Sequence, residues 1–161
     1  MKKLILMIAL FAPLTMFAQK FGHLDSQALL STLPEAIAAQ NELKIMGEKY
    51  EQEIQAMQQE LQKQMDEYDK TKSTLNATKQ QEKETELQQM YEKIQQAATQ
   101  NQQDFNKAQQ EKLSPILQKV RDAIQAVGKE GGYTYIFETG AALYVGTSST
   151  DVTDAVKAKL K

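Results

Sequence analysis

The sequence has no cysteine and no tryptophan, one histidine, three prolines and seven glycines among 161 residues. Without cysteine there is no disulfide framework, no thiolate metal site and no lipid anchor attached through an N-terminal thiol. With His23 as the only histidine, a zinc or catalytic centre lacks the convergent partners it needs, so no catalytic, metal or cofactor residues are expected. The serines lack a base to activate them and fit caps and turns. Gly128, Gly131 and Gly132 follow a helix and precede a strand, the reverse of a phosphate loop. These absences exclude enzyme classes and predict a non-enzyme. Aromatic residues are also scarce, at 7%, which disfavours a large globular core and suits long solvated helices.

What is present begins with a leader. Lys2 and Lys3 precede an unbroken apolar run from Leu4 to Ala12, and Pro13 and Ala18 follow. A membrane span needs roughly 20 apolar residues, so this run is expected to be a secretory signal over 1–18, cut near Ala18. From Gln19 onward, losing two of nineteen basic residues leaves seventeen against twenty-one acidic, a net charge of −4. That balance argues against nucleic acid as a partner.

Residues 35–112 contain one Gly, Gly47, and no Pro, and strong helix formers dominate. Leu43, Met46, Tyr50, Ile54, Met57, Leu61, Met65 and Tyr68 recur at steps of three and four, the spacing of one helical face. Leu87, Tyr91, Ile94, Ala98, Asn101, Phe105 and Ala108 form a second stripe with a coiled-coil period. Between them, the Ser, Thr and Asn side chains of 71–79 compete for backbone hydrogen bonds, which predicts a chain reversal near residue 75. Pro34 and Pro115 lie almost equally far from that point, so a hairpin sets them side by side as two breaks at its root. Ala98, Asn101 and Lys112 make a poor seam, and the register pairs Gly47 with Phe105.

Both ends of the chain supply a small body, over 19–33 and 113–161, with the hairpin over 34–112. Phe21–Leu24 is expected as a strand, with Asp25 or Ser26 capping the first helix. Leu113 to Val127 is an apolar helix ended by Gly128 and the Gly131-Gly132 pair. Tyr133–Phe137 and Ala142–Val145 are expected strands, Thr139-Gly140 a turn, and Val152–Leu160 a last helix capped by Ser149 or Asp151. So few strands cannot stand alone. Phe21, Leu24, Tyr133, Tyr135, Phe137, Leu143 and Val145 are therefore assigned to oligomerisation. Met46, Met57, Met65 and Met90, with Tyr50, Tyr68 and Tyr91, are adaptable apolar groups suited to varied partners, or else simple seam fillers. Lys70, Lys72, Lys79 and Lys83 make the reversal locally basic; it is either a solvated tip or a weak contact with clients or anionic lipid.

The leader, the strand ending in Asp25-Ser26 and the Gln/Lys/Glu-rich hairpin resemble the Skp/OmpH family of periplasmic chaperones. So do Leu113-Ser-Pro115-Ile116, Val120, Ala123-Ile124, Val127, Gly132-Tyr133, Leu143-Tyr144-Val145 and Thr150-Asp151-Val152-Thr153. The resemblance implies a mainly α fold with a small β-barrel-like body, a homotrimer with helical tentacles, and ATP-independent holding of unfolded outer-membrane proteins in a periplasmic cavity. Family members are strongly basic and this chain is acidic, which shifts the expectation from electrostatic to apolar capture. The alternative is a structural or adaptor coiled coil of the cell envelope.

Overall fold

A computed structural model describes residues 19–160; the expected leader lies outside them. The elements, in chain order, are β1 (Lys20–Leu24), α1 (Ser26–Thr32), α2 (Pro34–Thr71), a 3-10 turn (Lys72–Thr74) and α3 (Ala77–Gly131). They continue with β2 (Tyr133–Glu138), a 3-10 turn (Thr139–Ala141), β3 (Ser149–Asp151) and α4 (Thr153–Lys159). Two compact units are distinct: Gln27–Arg121, and the residues up to Ser26 together with those from Asp122 onward.

The first unit is a helical hairpin. Arm α2 has 38 residues, hence a length of about 57 Å at 1.5 Å per residue. Pro34 opens α2 at its first turn, where the missing N–H costs nothing. Polar contacts across the arms mark the antiparallel register. Lys119 Nζ reaches Glu35 at 2.7 Å, Lys112 pairs with Glu42, and Asn101 Nδ2 donates weakly to Glu53 at 3.4 Å. The α2 side of the seam runs through buried Ala36, Ala39 and Leu43, then half-buried Met46, Tyr50, Ile54, Met57 and Leu61, to buried Tyr68. On α3 it runs Leu87, Met90, Ile94, Ala97, Asn101, Phe105, Ala108, Ile116 and Val120. The expected stripe held Tyr91 and Ala98 in place of Met90 and Ala97; both expected residues are exposed. Gly47 does sit against Phe105: a Cβ there would lie 3.6 Å from the ring.

Pro115 does not break the chain as expected. It lies inside α3, which runs on to Gly131. An interior proline costs about 3 kcal/mol, through the lost bond to the Glu111 carbonyl and the ring clash. Ile116 and Val120, on the following turn, are buried at the seam, and each large apolar side chain contributes roughly 1.5–3 kcal/mol. Their burial outweighs the proline. Gly128 likewise stays within the helix, and the stop comes at Gly132, whose φ of 64° suits a residue without Cβ.

The second unit is an all-parallel sheet in the order β2-β1-β3. Thr134 is an extra residue against β1, since Lys20 pairs with Tyr133 and Phe21 with Tyr135. The bulge turns Tyr133 to the inner side, where Gly22 leaves room: a Cβ there would meet Tyr133, Val152 and Ile136 at 3.2–3.3 Å. Leu24, Ala123, Val127, Val152 and Val156 are buried in this unit. The expected strand Ala142–Val145 is absent. That stretch is irregular, Leu143 and Tyr144 are fully or largely exposed, and the third strand is Ser149–Asp151. Strand propensity becomes a strand only where the backbone pairs, and it is β3 that takes the second edge of β1. The His23 ring nitrogen Nδ1 bonds the Ser149 hydroxyl at 2.9 Å. Val152 N–H donates to the His23 carbonyl at 2.9 Å. Asp151 takes the capping role at α4 by accepting the Thr153 N–H at 2.9 Å, and the Thr153 hydroxyl and N–H hold its carboxyl below the usual aspartate range.

Pro115→Ala should raise the stability of the hairpin by up to about 3 kcal/mol, read as a higher urea midpoint at unchanged slope. An unchanged or lower midpoint would show that the helix needs the proline.

Candidate functional site

The hairpin tip is the most heavily hydrogen-bonded region of the arms. Asn76 caps α3: its side-chain oxygen accepts the Lys79 N–H at 2.9 Å, the role this residue type favours. The Gln80 side-chain amide donates to the carbonyls of Lys72 and Leu75 at 2.9 and 3.0 Å, closing the turn from the other arm. The Tyr68 hydroxyl donates to Glu84 at 2.8 Å, and Lys72 Nζ pairs with the same carboxylate at 3.3 Å while standing 5.1 Å from the centre of the Tyr68 ring. Burial and the bond to Glu84 push the Tyr68 hydroxyl pKa up. Tyr68 and then Lys72 hold the Glu84 carboxyl below the usual glutamate range, and Glu84 in turn raises Lys72.

The four tip lysines therefore stand differently from one another. Lys72, Lys79 and Lys83 pair with Glu84, Glu82 and Glu86, the last two at 2.7 and 2.6 Å. Lys70 lines an open groove of about 560 Å³ with Tyr68, Thr71, Leu75 and Lys79. Three of the four charges are thus spent locally, which weakens the case for anionic lipid as a partner. The exposed pairs add little stability.

Of the seven residues assigned to apolar contacts, Met46, Tyr50, Met57 and Met90 are half-buried in the seam and Tyr68 is buried in the tip. Met65 (43% exposed) and Tyr91 (52%) face out. They line a shallow groove of about 310 Å³ with Leu61 and Leu87, rimmed by Glu84 and Gln88. A second groove, of about 530 Å³, opens over Gly47, Tyr50, Ile54, Ala98 and Phe105, where small residues thin the seam. Sequence reasoning missed exposed Ile37, Ile45 and Leu117 near the root of the arms. Their apolar character was legible, but their outward placement depends on where the facing arm packs.

In the sheet unit, Phe21, Tyr135 and Phe137 form a stacked ladder on one face, with ring centroids 6.3 and 5.6 Å apart. Tyr135 and Phe137 are each about half exposed (57% and 51%), whereas Leu24 and Tyr133 turn inward. Leu143 and Val145 lie in the irregular stretch before β3. Parallel sheets are ordinarily covered on both faces, and here one face and the outer edges of β2 and β3 have no partner among the described residues. Among those residues, too, no helix is long and apolar enough to cross a membrane, and no three His, Cys, Asp or Glu gather as a metal site.

These features define a class: a long antiparallel helical hairpin joined to a small parallel sheet assembled from both chain ends. The sequence profile of the family described as Outer membrane protein (OmpH-like) matches residues 20–160, and the chain belongs to that family. A crystal structure from Caulobacter crescentus CB15, provisionally described as an outer-membrane chaperone (OmpH-like), has a similar fold. It superposes with a TM-score of 0.75 at 20% identity, over 88% of this chain and 83% of that one. No curated protein matches the sequence.

Two outcomes test the site's construction. Gly47→Ala should stabilise the hairpin by about 1 kcal/mol, because its Cβ meets Phe105 at an ordinary contact distance while the helix loses its most flexible residue. A fall in melting temperature would contradict that packing. At the tip, the folded-state carboxyl of Glu84 is depressed, so its contribution is present above the ordinary value of 4.5 and is lost as pH falls through the lower folded value. Protection from hydrogen exchange at residues 76–80, referred to the intrinsic rate at each pH, should fall in that acid window, and Glu84→Gln should remove this pH dependence.

Proposed function

We propose that this protein is an ATP-independent holding chaperone of the periplasm. It binds unfolded outer-membrane proteins in a cavity between the helical arms of a homotrimer and so prevents their aggregation. Family membership supports a chaperone role, and the observation that carries the reading to this chain is its two sets of uncovered apolar groups. Tyr135 and Phe137, on a sheet too small to stand alone, suit contact with sister copies. Met65 and Tyr91 suit the client. An unfolded β-barrel precursor exposes apolar strands that pair and aggregate. Flexible thioether and phenol groups on solvated arms offer many weak contacts without selecting one sequence. The acidic balance of the chain and the paired tip lysines favour apolar over electrostatic capture, so lipid contact is at most weak.

The test is dilution of a urea-denatured outer-membrane β-barrel protein into buffer without nucleotide, followed by light scattering. The protein should suppress scattering. Met65→Gln with Tyr91→Gln should weaken suppression about tenfold in required concentration, with the oligomer intact by sedimentation. Tyr135→Ser with Phe137→Ser should instead shift the trimer towards monomer. An envelope adaptor, the alternative, would leave scattering unchanged and retain folded partners in pull-downs.

A further inference from the structure

Four methionines lie among the described residues, and they are not equivalent. Met46, Met57 and Met90 are half-buried along the seam, where the facing arm shields them. Met65 stands one position off the seam. Its neighbour Gln64 takes the half-buried place, and buried Tyr68 continues the seam a turn later. The Met65 side chain is left 43% exposed in the groove it shares with Leu61, Leu87 and Tyr91.

We infer that Met65 is a redox modification site, at which peroxide-class oxidants convert the thioether to the sulfoxide and release bound client. The inference rests on the holding role proposed above. In the reaction the sulfur attacks one peroxide oxygen, the O–O bond breaks, an S–O bond forms, and the second oxygen leaves as water after proton transfer. Sulfur loses two electrons and the peroxide gains them. Susceptibility to this step follows exposure, and the product is polar where the reactant was apolar. The groove then loses its adaptable apolar group while the seam and the Tyr68–Glu84–Lys72 contacts stay in place, since Met65 belongs to neither. Enzymes of the methionine sulfoxide reductase class restore the thioether, so the change is reversible.

The experiment treats the protein with sub-saturating hydrogen peroxide and follows each methionine by peptide mass spectrometry. Client holding and circular dichroism are measured in parallel, for the unaltered protein and for Met65→Leu, each referred to its own untreated value. Met65 should gain oxygen first. Treatment should cost the unaltered protein about threefold in apparent client affinity, with helicity constant, and leave Met65→Leu at its starting value. Oxidation of Met46, Met57 or Met90 at the same rate or earlier would overturn the inference. An equal loss in treated Met65→Leu, or a loss of helix that accompanies the loss of holding, would do the same. Failure of the holding role itself is distinguishable. Untreated protein would then leave the denatured barrel protein free, while the order of oxidation could still be read on the protein alone.

Discussion

The antiparallel seam between α2 and α3 is the constraint from which the rest of the structure follows. The β1–β2 pairing joins residues more than a hundred positions apart: Lys20 Nζ donates to the carbonyl of Gly131, 111 positions away. A flexible loop of that length would leave its ends far apart most of the time. Two antiparallel arms, folded at a capped turn, return the chain in a defined register and make the parallel pairing affordable. The reversal is accordingly specified by hydrogen bonds. Asn76 caps one arm, Gln80 closes the last carbonyls of the other, and Tyr68 ties both through Glu84.

Between tip and root the seam is weakly built. Gly47, Ala97 and Asn101 place little apolar volume there, and the open groove over Phe105 is the result. A tighter coil with Leu at these places would be more stable, and it would also bury the apolar surface on which the proposed holding role relies. Solvated Gln, Lys and Glu keep the arms soluble, with Met65 and Tyr91 standing out as the exposed apolar groups towards the tip. Weak packing and an available surface are thus two consequences of the same residue choices. In the sheet unit the corresponding deficit is the uncovered Phe21–Tyr135–Phe137 ladder.

Much of this was legible in the sequence. The helical period, the turn residues of 71–79, the aromatic strand at 133 and the closeness of Gly47 to Phe105 all rest on local chemistry or on register, and both survive in one dimension. The misses are cases in which tertiary contacts override local preference. Pro115 is a helix breaker until Ile116 and Val120 find a facing arm. Ala142–Val145 has strand propensity but pairs with neither open edge of the sheet, whereas the polar Ser149–Asp151 takes the second edge of β1. Met90 and Tyr91 are both apolar neighbours, and only the geometry of the partner arm decides which turns inward. The candidate site was visible as a set of residue types. Which of them face out was not, because exposure is a property of the pair of arms.

Spin labels at Lys44 and Gln110, in a chain free of competing cysteine, test the hairpin most directly when the labelled protein is diluted with unlabelled copies. The two positions share the register marked by the Lys112–Glu42 and Lys119–Glu35 pairs. Arms packed about 10 Å apart should give a label separation on the order of 20 Å. A separation of about 100 Å, as expected for one continuous helix between the two positions, would contradict the hairpin and the function built on it.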